Sequence, residues 1–133
     1  MKDDAIQIAT KVKKAETLVF ATLIYYYEMS GQMKTLLVRL NPLFPSDYKF
    51  RKVYMLSVAA EDEPYVPEKV VSGLQRWVNC FEKAELIDTL FCGGITGAGE
   101  AEQHQAKVEL KDRNLCLVYH KHKISHPYHS QSR

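Results

Sequence analysis

Cysteine is scarce: Cys80, Cys92 and Cys116 are the three in 133 residues. The count is odd and no Cys-x-x-Cys pair occurs. A disulfide framework and a zinc site are therefore not expected, and a reducing, cytoplasmic setting fits best. Long apolar runs are missing too. The longest falls far short of the roughly 20 residues that span a bilayer. Met1-Lys2-Asp3-Asp4 lacks the apolar region of a signal peptide. Charge of one sign is also lacking: 18 Lys and Arg against 16 Asp and Glu leave +2, which gives no strong pull toward nucleic acid. No internal repeat and no low-complexity segment stands out. What is present is 46% hydrophobic and 26% charged, ordinary for a soluble globular chain of a length that suits one domain and one core.

Periodicity supplies the elements. Ala5, Ile8, Ala9 and Val12 recur at helical spacing, so residues 3–15 read as a helix. Asp3 or Asp4 can cap its start, and Lys11, Lys13 and Lys14 suit the negative end of its dipole. Residues 17–22 carry no charge and read as a buried strand covered on both faces. Met33, Leu36, Leu37 and Leu40 make one face of a second helix from Gly31 to Leu40, with Ser30 as its N-cap. Asn41-Pro42 ends it, because the residue before proline is pushed out of the α region. Leu43 to Phe50 is a connector and Val53 to Val58 a second buried strand. Pro67 sits at the first turn of a third helix, where its missing N–H costs nothing. Val70, Leu74, Trp77, Val78 and Phe81 line that helix. Residues 86–92 form a third strand, followed by Gly93-Gly94. Residues 100–113 allow a helix without a clean stripe, and 115–119 read as a strand. Helices alternating with strands predict an α/β fold with a parallel sheet and right-handed crossovers.

Between the first strand and the second helix lies Tyr25-Tyr26-Tyr27-Glu28-Met29-Ser30-Gly31-Gln32-Met33-Lys34. In open α/β sheets, ligands bind outside the carboxyl ends of the strands, so residues 23–30 are read as an aromatic ligand loop. The competing reading makes the tyrosines half-buried packing residues. Glu61, Asp62 and Glu63 read as a solvated loop rather than a metal site, since no partner converges on them. Gly93-Gly94 with Gly97 and Gly99 reads as a flexible turn after a strand rather than as a phosphate cradle. Cys92 reads as core. His120, His122, His126 and His129 form a tail that collects metal adventitiously, without supporting groups.

Leu18-Val19-Phe20-Ala21-Thr22-Leu23-Ile24-Tyr25-Tyr26-Tyr27 with Ser30-Gly31-Gln32-Met33-Lys34-Thr35-Leu36-Leu37 resembles the flavodoxin-like NAD(P)H-dependent FMN reductases, in the branch related to iron–sulfur flavoproteins. The resemblance covers roughly residues 3–100, and Cys92-Gly93-Gly94 at the third strand end adds to it. It implies a flavodoxin-like three-layer sandwich of strand order 2-1-3-4-5, incomplete here. The first βαβ unit, with its phosphate-holding loop, has no counterpart in the sequence. Leu23 stands where relatives have proline, and Val38 where an acid precedes Arg39. Residues 1–113 are thus expected to form a partial flavodoxin-like domain, and 114–133 a divergent strand with a His-rich tail.

The resemblance further implies FMN as cofactor and NAD(P)H as co-substrate. Thr22, Leu23, Ile24, Tyr25 and Tyr26 would lie along the flavin ring, with Ala59, Ala60 and Glu61 approaching from the next strand end. No side-chain acid or base is required, since hydride transfer is flavin chemistry. No iron–sulfur ligand set is present. The alternative is a non-catalytic remnant, or a self-associating module, that keeps the fold without flavin. Lacking its neighbour, strand 17–22 would be an open edge. Either self-association into a homo-oligomer or strand 115–119 is expected to fill it.

Overall fold

Leu18, Val19 and Phe20 are fully buried in sequence, as a central strand demands. They belong to β1 (Thr17–Tyr25), which anchors the sheet. The computed structural model describes residues 4–97, Glu100 and the backbone of residues 115–119. The chain runs α1 (Ala5–Lys14), β1, β2 (Glu28–Met29), α2 (Gly31–Arg39), a 3₁₀ turn (Asn41–Leu43), β3 (Lys52–Val58), α3 (Glu68–Asn79), β4 (Glu85–Cys92) and β5 (Leu115–Tyr119). The fold is α/β with a mostly parallel sheet.

β3 lies beside β1 in parallel, from Thr17↔Lys52 to Leu23↔Val58. β4 follows on its far side, with a register shift between Val53 and Tyr54. On the other side of β1, β5 pairs in parallel from Thr17↔Leu115 to Ala21↔Tyr119. The two-residue β2 pairs antiparallel, Ile24↔Met29 and Tyr25↔Glu28. The edge of β1 that the sequence left open is thus covered by β5 and β2. Residues 98–99, 101–114 and 120–133 lie outside the described residues, and with them the expected helix over 100–113 and the histidine tail.

All three helices pack on one face of the sheet. Leu18, Phe20 and Ile24 of β1 and Val53 and Met55 of β3 join Val12 and Ala15 near the end of α1. Met33, Leu36 and Leu37 of α2 and Val70, Leu74, Trp77 and Val78 of α3 complete the cluster. Trp77 is its hinge. Its Nε1–H donates to the Leu37 carbonyl at 3.2 Å, tying α3 to α2. Its ring lies 5.2 Å from Phe20 and 4.6 Å from Phe81, centroid to centroid. Tyr48 and Phe50, read from sequence as connector, are core: Tyr48 stacks on Phe50 at 4.7 Å, and its hydroxyl accepts from the Lys83 N–H.

Two expectations need correction at the residue level. Of the two expected caps of α1, Asp3 lies outside the described residues, and Asp4 does not cap with its side chain, because its own backbone is already helical and its carbonyl accepts from the Ile8 N–H. The first strand does not end at Thr22. It continues to Tyr25, since Thr, Ile and Tyr suit a pleated strand and β2 supplies a partner for its last two residues. The helix ends otherwise follow the sequence reading. Ser30 caps α2 through its hydroxyl, which accepts from the Met33 N–H at 3.2 Å.

Candidate functional site at the carboxyl edge of the sheet

With the strand extended, residues 23–30 form a hairpin rather than an open loop. Tyr26 and Tyr27 are its two turn residues, with φ of 49° and 66°. A two-residue hairpin turn with positive φ at both positions is ordinarily built from Asn and Gly. Two tyrosines there hold the backbone in a region that costs an L-residue roughly 1–2 kcal/mol each. Such strain persists where surrounding structure enforces it, and it concentrates at functional sites.

Thr22 supplies part of that enforcement. Its hydroxyl oxygen accepts from the Ser30 N–H at 3.1 Å, while its O–H donates to the Leu23 carbonyl at 2.8 Å. The end of β1 is thereby tied to the start of α2 on the far side of the hairpin.

The hairpin projects its rings outward. Tyr26 is 95% exposed, Tyr25 55% and Leu23 44%. Tyr27 leans on Tyr65 from the β3–α3 loop, with ring centroids 6.0 Å apart. The Glu61 carboxylate beside it, then Tyr65, hold the Tyr27 phenol above its ordinary pKa. Ile24 faces the other way and is buried in the helical core. Thr22 is buried as well. Of the residues expected along a ring, Leu23, Tyr25 and Tyr26 present surface, and Thr22 and Ile24 do not.

The β3–α3 loop sits close by. Ala59 is buried, and its backbone is committed: its N–H donates to the Cys92 carbonyl and its carbonyl accepts from the Ile95 N–H. Ala60 and Glu61 are exposed. Tyr27 and Tyr65 were absent from the residues expected at the site. Tyr27 was within view as the third tyrosine of the run. Tyr65 lies far along the chain, and nothing local in its Pro64-Tyr65-Val66-Pro67 turn announces the contact.

Gly93 has a packing reason. A Cβ there would lie 2.7 Å from the Asp62 Cα and 2.8 Å from the Glu61 carbonyl oxygen. Gly94 follows at φ 71°. These glycines let the loop after β4 lie against Glu61-Asp62, so the space of a phosphate cradle is taken by an acidic loop. Cys92 is partly buried, and burial raises its thiol pKa, which suits packing rather than nucleophilic attack.

Electrostatics separate a ring from a phosphate. Residues 22–30, 59–66 and 93–97 carry four acids, Glu28, Glu61, Asp62 and Glu63, and no Lys or Arg. The exposed tyrosines offer aromatic surface. The phosphate of FMN finds no cationic partner and no glycine cradle among these loops. Among the described residues, no group of three His, Cys, Asp or Glu side chains is placed to hold a metal ion, and no helix is long and apolar enough to cross a membrane. Comparison with protein-family models, with curated proteins and with solved structures finds no match for this chain.

Proposed function

We propose that the chain holds a flavin by its ring at the Leu23–Tyr27 hairpin, as the ring-side half of an FMN-binding, NAD(P)H-dependent oxidoreductase of flavodoxin-like fold. The parallel arrangement β1-β3-β4, with helices α1, α2 and α3 on one face, agrees with the last three strands of that fold. The observation that carries the reading is the pair of left-handed tyrosines at the carboxyl edge. Strain of this kind has no packing return at Tyr26, which is almost wholly exposed. A role in contacting a flat ligand accounts for it.

The chain's own residues would bind and orient. Leu23 and Tyr25 offer apolar surface, and Tyr27 with Tyr65 forms a second aromatic wall. A bound flavin would supply the hydride chemistry, and these residues would hold and orient its ring. The acids at the edge favour a second reading, a non-catalytic module that keeps the fold without flavin. Titration of FMN fluorescence separates the two. Quenching by the wild-type chain, weakened about tenfold (~1.4 kcal/mol) in Tyr25→Ala and Tyr26→Ala, supports the first. Absence of quenching, or equal affinity in both variants, removes the assignment and leaves the second.

A further inference from the structure

The two ends of the sheet are complementary to each other. The carboxyl edge carries an exposed aromatic tip, with Glu61 beside Tyr27 and Glu28 next along the chain. Toward the other end, α1 and the segment from Pro42 to Lys49 enclose a groove of about 760 Å³. Its lining combines apolar groups, among them Ile6, Ala9 and Leu43, with Lys13, Lys14 and Lys49. Ile6 is 72% exposed there, although it belongs to a helix whose opposite side is packed in the core. A neighbouring depression shares Asp47 and Lys49 and adds Glu16, Arg51 and Lys52, so the cations outnumber the acids there. An acidic aromatic segment is what such a groove fits, and the chain carries one.

We propose that this chain binds a second copy of itself head to tail. The Tyr26 tip of one protomer enters the α1 groove of the next, with Glu61 and Glu63 meeting Lys13 and Lys49. The tip projects on a two-residue turn, so it reaches a partner without rearranging the sheet. Long-range attraction between the opposite charges orients the encounter. The contact is heterologous: a head-to-tail dimer keeps a free groove at one end and a free tip at the other, and growth proceeds to a ring or an open chain. This differs from pairing through the edge of β1, which β5 and β2 already occupy.

Sedimentation of the full chain tests the proposal. At about 50 mM salt the mass exceeds one chain and rises with protein concentration; at about 500 mM, where screening is strong, it falls toward one chain. A tip variant, Tyr26→Ala with Glu61→Gln, is a monomer at low salt. A groove variant, Lys13→Glu with Lys49→Glu, is also a monomer. Their equimolar mixture forms a 1:1 dimer that grows no further, because only one intact tip meets one intact groove. If circular dichroism shows that the lysine reversals disturb α1, the exposed Ile6→Glu takes their place. A wild-type monomer at low salt, variants that still associate, or a mixture that remains monomeric would each overturn the proposal. The tip is common to both readings, so flavin titration is made on the groove variant, whose tip is intact and which is a monomer; neither result then decides the other.

Discussion

Tyr26 carries strain without burial, which makes it the most informative single position. Asparagine tolerates the left-handed region far better than tyrosine. Tyr26→Asn is expected to raise the free energy of urea unfolding by about 0.5–1 kcal/mol, because turn strain is relieved and no buried contact is lost. The same change should weaken flavin binding. Stability and binding moving in opposite directions is the mark of a residue retained for contact. A loss of stability would show that the tip makes packing contributions that its exposure conceals.

Tyr27 offers a test in pH. Its phenol is held above the ordinary value chiefly by Glu61, then by Tyr65. A raised folded-state pKa favours the neutral form, so this contribution is present below the unfolded value near 10 and is lost as pH rises through the folded value. Tyrosinate absorbance, read as wild type minus Tyr27→Phe, should show Tyr27 ionising late. Glu61→Gln should move that ionisation to lower pH. An unmoved titration would place the Glu61 carboxylate away from the phenol.

At the scale of elements, the loop contact at Gly93 fixes where Glu61 sits. Gly93→Ala forces the loop after β4 off Glu61-Asp62, and neither backbone can yield cheaply. The expected cost is about 1–3 kcal/mol in unfolding, together with a lowered Tyr27 pKa as Glu61 is displaced. A variant with wild-type stability and titration would mean that the loops part freely.

Helices and central strands were legible because their signals are periodic. The α2 stripe of Met33, Leu36 and Leu37 and the α3 stripe of Val70, Leu74, Trp77 and Val78 are buried as their spacing requires, and Leu40 and Phe81 just beyond the two helices are buried with them. The hairpin was not legible. Its turn residues are tyrosines where local preference asks for Asn-Gly, and the two residues of β2 are too short for any pattern. Tyr48 and Phe50 were missed for a similar reason: the connector has no period, and only the fold brings it under Trp77 and Phe81. The Tyr27–Tyr65 approach depends on two parallel strand ends lying side by side, which residue spacing alone does not encode.

Over the whole molecule, the sheet joins an exposed aromatic edge to an opposite groove. β1 is central, with β3 on one side and β5 with β2 on the other, so Leu18, Val19 and Phe20 keep the burial their sequence demanded. The carboxyl edge combines exposed tyrosines with acids, an arrangement that favours a flat ring and repels a phosphate. That charge pattern leads to the central claim of the proposal: these residues would grip the ring alone. Paired titrations with riboflavin and FMN test it most directly. The account predicts that riboflavin binds at least as tightly as FMN. FMN binding tighter by about tenfold or more (~1.4 kcal/mol) would reveal a phosphate anchor and contradict the claim, as would failure of both to bind.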